Sequence, residues 1–113
     1  MDKLTHYRNV IKRLLSDLAE PSNRRPDPDV DMVCAFDEER DQYLLMSVGW
    51  QGSRRQRGTH VYIRLRGGKV WIEDDWTDAR VAERLVEAGV PKEHIVLGFH
   101  APGMRKLTGF AVA

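Results

Sequence analysis

A single cysteine, Cys34, in 113 residues excludes an internal disulfide framework and leaves no CxxC pair for a metal site. No apolar run approaches the roughly 18 residues that would span a bilayer; a typical one covers only residues 43–46. An apolar leader is missing too. Met1-Asp2-Lys3 runs directly into a charged amphipathic segment, so a cytoplasmic location is expected. No serine or cysteine is followed by a recognisable histidine pattern, and the glycine pair Gly67-Gly68 has the spacing of a hairpin, not of a phosphate cradle. A net charge of only +1 argues against strong non-specific binding to nucleic acid.

What remains is an ordinary globular balance, 42% apolar and 31% charged, in a chain long enough for one domain (residues 1–113) and too short for two. Cys34 sits in an apolar strand pattern and reads as a small buried hydrophobe. The near-zero net charge hides an asymmetry. Residues 27–41 carry seven acids and one base, Arg40, whereas residues 53–69 carry six bases and no acid. Such blocks either complement each other within one fold or give it opposed faces; the first is the plainer reading.

Leu4, Tyr7, Ile11, Leu14, Leu15 and Leu18 recur at helical spacing. Asp2 is placed to cap this helix and Pro21 to end it. Residues 21–28, with three prolines, then read as a linker-like loop. Val30, Met32, Cys34 and Phe36 alternate as a first strand. Residues 43–50 are apolar on both faces, as expected of an interior strand. Residues 51–58 read as a polar, arginine-rich connection. Residues 59–66 and 69–73 flank Gly67-Gly68 as a hairpin. Counting outward from the glycines sets Leu65 opposite Val70 and Ile63 opposite Ile72 on the core side. Arg64 then falls opposite Trp71, and Tyr62 opposite Glu73, on the outer side. A guanidinium facing an indole can stack on it. Thr77-Asp78 opens a second helix with Val81, Ala82, Leu85 and Val86 inward, and Gly89 and Pro91 close it. Residues 95–99 offer a short fifth strand. The expected fold is α+β: an N-terminal helix, a four-stranded, mainly antiparallel sheet, a second helix and an extended C-terminal tail, with both helices on the face of Ile63, Leu65, Val70 and Ile72.

Chemistry is scarce. His6, His60, His94 and His100 form no set with ligand spacing, so neither a metal nor a cofactor is expected. Glu73, Asp74 and Asp75 lie at a strand exit before a helix, where turn and dipole effects account for them better than a nuclease site does. The informative surface is Tyr62, Arg64 and Trp71 beside the arginines Arg54, Arg55 and Arg57. Trp, Tyr and Arg are the usual anchors of protein interfaces. Aromatic and basic side chains on a sheet also hold single-stranded nucleic acid. Both classes stay open at this point.

Four stretches carry a family pattern in order along nearly the whole chain. These are MDKLTHYRNVIKRLL, FDEERDQYLLMSVGW, GGKVWIEDDWT and the run from Gly89 to His100, followed by Arg105, Thr108 and Phe110. In them the chain resembles the XisI family, small cyanobacterial proteins named as controlling factors for excision of the fdxN element. The resemblance implies a non-enzymatic accessory protein with no catalytic residue. It also implies a XisH-like, endonuclease-fold partner and a connection with DNA rearrangement in heterocyst differentiation. A homo-oligomer is a further expectation for the outer face. Two departures add arginine. Where the family has a His-Ile-Asp-Ile pattern, this chain has Val61-Tyr62-Ile63-Arg64-Leu65. Where it has Thr-Glu-x-Gly-Ile-Ala, this chain has Thr77-Asp-Ala-Arg-Val-Ala82.

Overall fold

A computed structural model of the chain describes residues 2–24 and 27–113. Helix α1 runs from Lys3 to Arg24, with Tyr7, Ile11, Leu14, Leu15 and Ala19 buried along one stripe. Asp2 caps it, accepting the Thr5 amide at 2.8 Å and the Thr5 hydroxyl at 3.1 Å. Pro21 does not end the helix but lies inside its last turn. The missing donor matters little there, because the last turns are exposed and water can satisfy a carbonyl left without its amide partner. The expected linker shortens accordingly. Its first four residues are helical, its prolyl residue 26 lies outside the described residues, and residues 27–29 form a turn.

Strands β1 (Val30–Asp37), β2 (Gln42–Gln51), β3 (Arg54–Arg66) and β4 (Lys69–Asp75) follow as an antiparallel meander. Helix α2 (Val81–Glu87) then leads through a short 3-10 turn to β5 (Ile95–Leu97). β5 pairs parallel to β4, so the sheet is mixed and five-stranded, in the order β1-β2-β3-β4-β5. The sequence expectation of four strands is corrected here. Residues 95–97 form the short fifth strand that the sequence offered over 95–99, and its parallel pairing, which needs a crossover such as α2, joins it to the sheet.

The region expected to be an arginine-rich connection is strand instead. β2 and β3 continue to Gln51 and Arg54, which pair across Gly52-Ser53, and Gly52 takes the φ of +65° that the tight turn requires. Both faces of this extension are solvated, so it has no apolar alternation to betray it. The Gly67-Gly68 turn is as expected, with φ of +60° and +77°. Leu65 faces Val70, Ile63 faces Ile72 and Arg64 faces Trp71. One step further a bulge intervenes, so Tyr62 faces Asp74 and not Glu73.

The N-terminus of α2 also departs from expectation. Thr77 does not cap it: its amide and hydroxyl both donate to Asp75 Oδ1, and its hydroxyl accepts the Ala79 amide. The capping position is Arg80, with φ 58° and no side-chain hydrogen bond to the helix. This is the position at which the related pattern carries glycine. The tail is not extended either. It forms a 3-10 helix over Pro102–Leu107 and returns to the sheet, where the Ala111 amide donates to the Ile95 carbonyl at 2.9 Å.

Both helices bury their stripes with one sheet face. Tyr7, Ile11, Leu15, Val81 and Leu85 join Tyr43, Leu45, Val61, Ile63, Leu65, Val70 and Ile72 in a single core. Fully burying one such aliphatic side chain contributes about 1.5–3 kcal/mol. Gly49 marks the tightest approach, since a Cβ there would lie 2.0 Å from the Asp29 carbonyl oxygen.

Candidate interface on the open sheet face

Strand alternation leaves the other sheet face free of helices. The register aligns its residues in rows across β1, β2 and β3: Asp31–Val48–Arg57, Val33–Met46–Thr59, Ala35–Leu44–Tyr62 and Asp37–Gln42–Arg64. A further row lies just beyond the start of β1. There the Trp50 amide donates to the Asp29 carbonyl at 2.8 Å, and Trp50 pairs with Arg55. Val33, Leu44, Met46 and Val48 are not part of the core, and Val33 is 39% exposed.

The two charge blocks are thereby laid on opposite sides of an apolar stripe. β1 brings Asp31 and Asp37 to one side, β3 brings Arg57 and Arg64 to the other, and β2 lies between. Two strand spacings amount to roughly 9.6 Å, and the side chains of β2 stand between the two rows of charge. Among the described residues no ion pair joins the two blocks. Arg64 is paired locally, its Nε donating to Glu73 Oε2 at 2.8 Å. Tyr62 donates its hydroxyl to Gln42 Oε1 at 2.6 Å. A guanidinium does stack on Trp71, but it is not that of Arg64. Arg66 lies 5.2 Å and Arg105 5.3 Å from the ring, and the indole Nε1 donates to the Arg66 carbonyl.

Arg105 brings the C-terminal segment over this end of the sheet. Its Nε donates to the His100 carbonyl at 3.1 Å, and other guanidinium nitrogens donate to Gly98 and Val112 carbonyls at 3.4 and 3.5 Å. Lys69 Nζ donates to the Ala113 carbonyl. Val96, beside Trp71 in register, is fully buried. The tail therefore covers the Trp71 end and leaves the Tyr62 end open.

At the far end, Arg54, Arg55 and Arg57 lie on the extended part of β3, all exposed. The Arg55 guanidinium sits 5.1 Å from the Trp50 ring, which is 51% exposed. Sequence reasoning passed over Trp50 as a strand-end residue. Gly52-Ser53 was the available signal, a two-residue hairpin turn that would have extended both strands and placed Trp50 at their tip. Trp76 was missed as well. It is 79% exposed and flanks, with Phe99, Asp74 and Asp75, a shallow depression of about 320 Å³.

The histidines do not converge. His94 Nδ1 lies 2.6 Å from the buried Tyr7 hydroxyl, which ties α1 to the turn before β5. His60 does not share the outer face with Tyr62 and Arg64. A bulge at this point of β3 shifts it, and its Nε2 meets the hydroxyl of Ser47, which lies in the helix-side register of Tyr43 and Leu45. Among the described residues no three His, Cys, Asp or Glu side chains gather as a metal-binding group. The Cys34 thiol is half-buried 3.5 Å from the Leu15 carbonyl, and burial pushes its pKa up. Among the described residues no helix is long and apolar enough to cross a membrane.

No curated protein matches this chain. A crystal structure of a XisI-like protein from Anabaena variabilis superposes with a TM-score of 0.90 at 40% sequence identity, covering 97% of this chain and 99% of that one. The structure of the fdxN element excision controlling factor XisI from the same organism gives 0.87 at 41% identity, covering 99% and 100%. The profile of the XisI protein family matches residues 1–112. The chain belongs to the XisI family.

Proposed function

We propose that this chain is a non-enzymatic control protein for excision of a DNA element, acting through a XisH-like partner of endonuclease fold. The observation that carries this reading is the 41% identity, over nearly the whole length of both chains, with a protein named as an excision controlling factor. A control protein without chemistry of its own must act by binding. The surface we assign to binding is the outer sheet face with Tyr62 and Arg64, bordered by Trp71 and its tail and extended by Arg54, Arg55 and Arg57. Its support is the combination of uncovered apolar side chains with arginines and aromatics, the side chains that dominate interface energetics.

Co-purification of the chain with a XisH-like protein, with and without nuclease treatment, tests the reading. Capture that survives removal of DNA is the expected result. Capture that depends on DNA would favour a second reading, direct nucleic-acid binding by the β2–β3 hairpin. Its specific support is the exposed Trp50–Arg55 stack beside Arg54 and Arg57, since a two-stranded ribbon fits the major groove. Arg54→Glu with Arg55→Glu separates the two. On a protein partner, charges at the rim mainly slow association and flatten its salt dependence; on DNA, their loss lowers affinity and the salt slope together.

A further inference from the structure

The binding face is dipolar, and its two halves match each other. The acids of β1 and the arginines of β3 occupy the same rows: Asp31 with Arg57, Asp37 with Arg64, and Asp29 with Arg55 one step beyond. Within the chain they are held apart by β2. Asp31 and Arg57 have no ion-pair or hydrogen-bonding partner among the described side chains. Leu44, Met46 and Val48 form the stripe between them, with no helix over it.

We propose that this face pairs with the same face of a second copy of the chain, about a two-fold axis running along β2 between the two sheets. Rotation about such an axis reverses the order of the strands, so β1 of each copy lies over β3 of the other. Asp31 then faces Arg57 of the second copy, Asp37 faces its Arg64, and Asp29 faces its Arg55. The residues of β2 meet their own equivalents, apolar on apolar. One operation thus neutralises Asp31 and Arg57 and adds a second partner to Asp37 and Arg64, which already pair with Arg40 and Glu73. It also covers the half-buried stripe, which completes the self-complementarity an isologous interface requires. Stacked sheets lie about 10 Å apart, a gap that facing Asp and Arg side chains can bridge. Other occupants fit less well. Nucleic acid would meet the acids of β1, and a partner of uniform charge would be repelled by half of the face.

The inference rests on reading this face as a protein interface and names its occupant. The test is sedimentation equilibrium of the purified full chain, with circular dichroism to confirm that each variant is folded. The expected result for the natural chain is a concentration-dependent dimer that weakens with salt. Asp31→Arg and Arg57→Asp should each weaken it by roughly tenfold or more, because like charges then face each other across the axis. Mixing the two variants should restore a dimer, since each supplies what the other lacks. Met46→Arg, which sets two cations together on the axis, should give a monomer. A chain that stays monomeric, a dimer indifferent to Met46→Arg, or a mixture that fails to associate would each overturn the proposal. A monomeric chain that still captures a XisH-like protein, and loses it on Met46→Arg, would overturn the dimer and leave the interface reading standing.

Discussion

The carboxylate of Asp41 accepts three hydrogen bonds: from Arg8 Nε at 2.7 Å, from Arg8 Nη2 at 3.1 Å and from the Tyr43 hydroxyl at 2.8 Å. Its backbone carbonyl accepts the Leu65 amide, so one turn residue joins α1, β2 and β3. The Arg8 hydrogen bonds hold the Asp41 carboxyl below its usual value near 3.8. Burial, before the neighbouring carboxylate, pushes the Tyr43 hydroxyl up. Since the folded state binds this proton less readily than the unfolded chain, the contribution to stability is complete above about pH 4. It is lost as the pH falls through the folded-state value. Asn tolerates the φ of 54° found here, so Asp41→Asn removes mainly the charge. Chemical denaturation should show a loss of about 1 kcal/mol at pH 7 that shrinks toward zero at pH 2. A loss of the same size at both would assign the effect to shape instead. Arg80 makes the complementary case. Its φ of 58° places a residue with a Cβ where glycine is at ease, and its side chain gains only an exposed pair with Glu83. Arg80→Gly should raise the thermal midpoint by a few degrees; an unchanged or lower midpoint would mean that the ion pair or the stiffness of the unfolded chain outweighs the strain.

At the scale of elements, the C-terminal segment behaves as a clasp on the short edge of the sheet. β5 is only three residues long, too short for its ladder alone to hold the edge. Its outer face depends on the return of the chain at Ala111 and on Arg105 stacking on Trp71. Arg105→Ala should therefore speed amide hydrogen exchange of the Ala111 amide, with little effect on β2 or β3 amides. Uniform acceleration across the sheet would show instead that the clasp belongs to the global unfolding unit. Trp71→Ala should give the same local pattern, because it removes the other half of the stack. The sequence pattern placed Trp71 opposite Arg64 but could not select which guanidinium would lie on the ring. That choice depends on Glu73, which occupies Arg64, and on a tail residue more than thirty positions away.

For the molecule as a whole, the described residues gather no group of three His, Cys, Asp or Glu side chains, and the control-protein reading asks for no chemistry of the chain's own. The purified chain should accordingly leave duplex and single-stranded DNA intact with magnesium or manganese present. Cleavage that survives rigorous purification and disappears on Asp74→Asn or Asp75→Asn would overturn the control-protein reading. Asp75 in any case spends one oxygen on Thr77, as expected of a turn residue.

Local physics reached the sheet-side half of the core directly. Apolar residues every second position across a Gly-Gly turn allow only one register, so the pattern alone sets Ile63 opposite Ile72 and Leu65 opposite Val70. The helical stripe from Tyr7 to Leu15 was equally legible, as was Asp2 as its cap. The family itself was readable from the wording of four segments. Features that depend on a neighbour were not. The bulges at His60 and beside Tyr62 arise from pairing and shift what each residue faces. β5 was legible as a short strand but its parallel place beside β4 was not, and the arginine-rich part of β3 is a strand because β2 continues with it. The same holds for the charge blocks. Their composition was plain in the sequence, but whether opposite blocks neutralise each other depends on how many strands lie between them. One intervening strand, β2, keeps Asp31 and Arg57 apart, and only the tertiary structure could place it there.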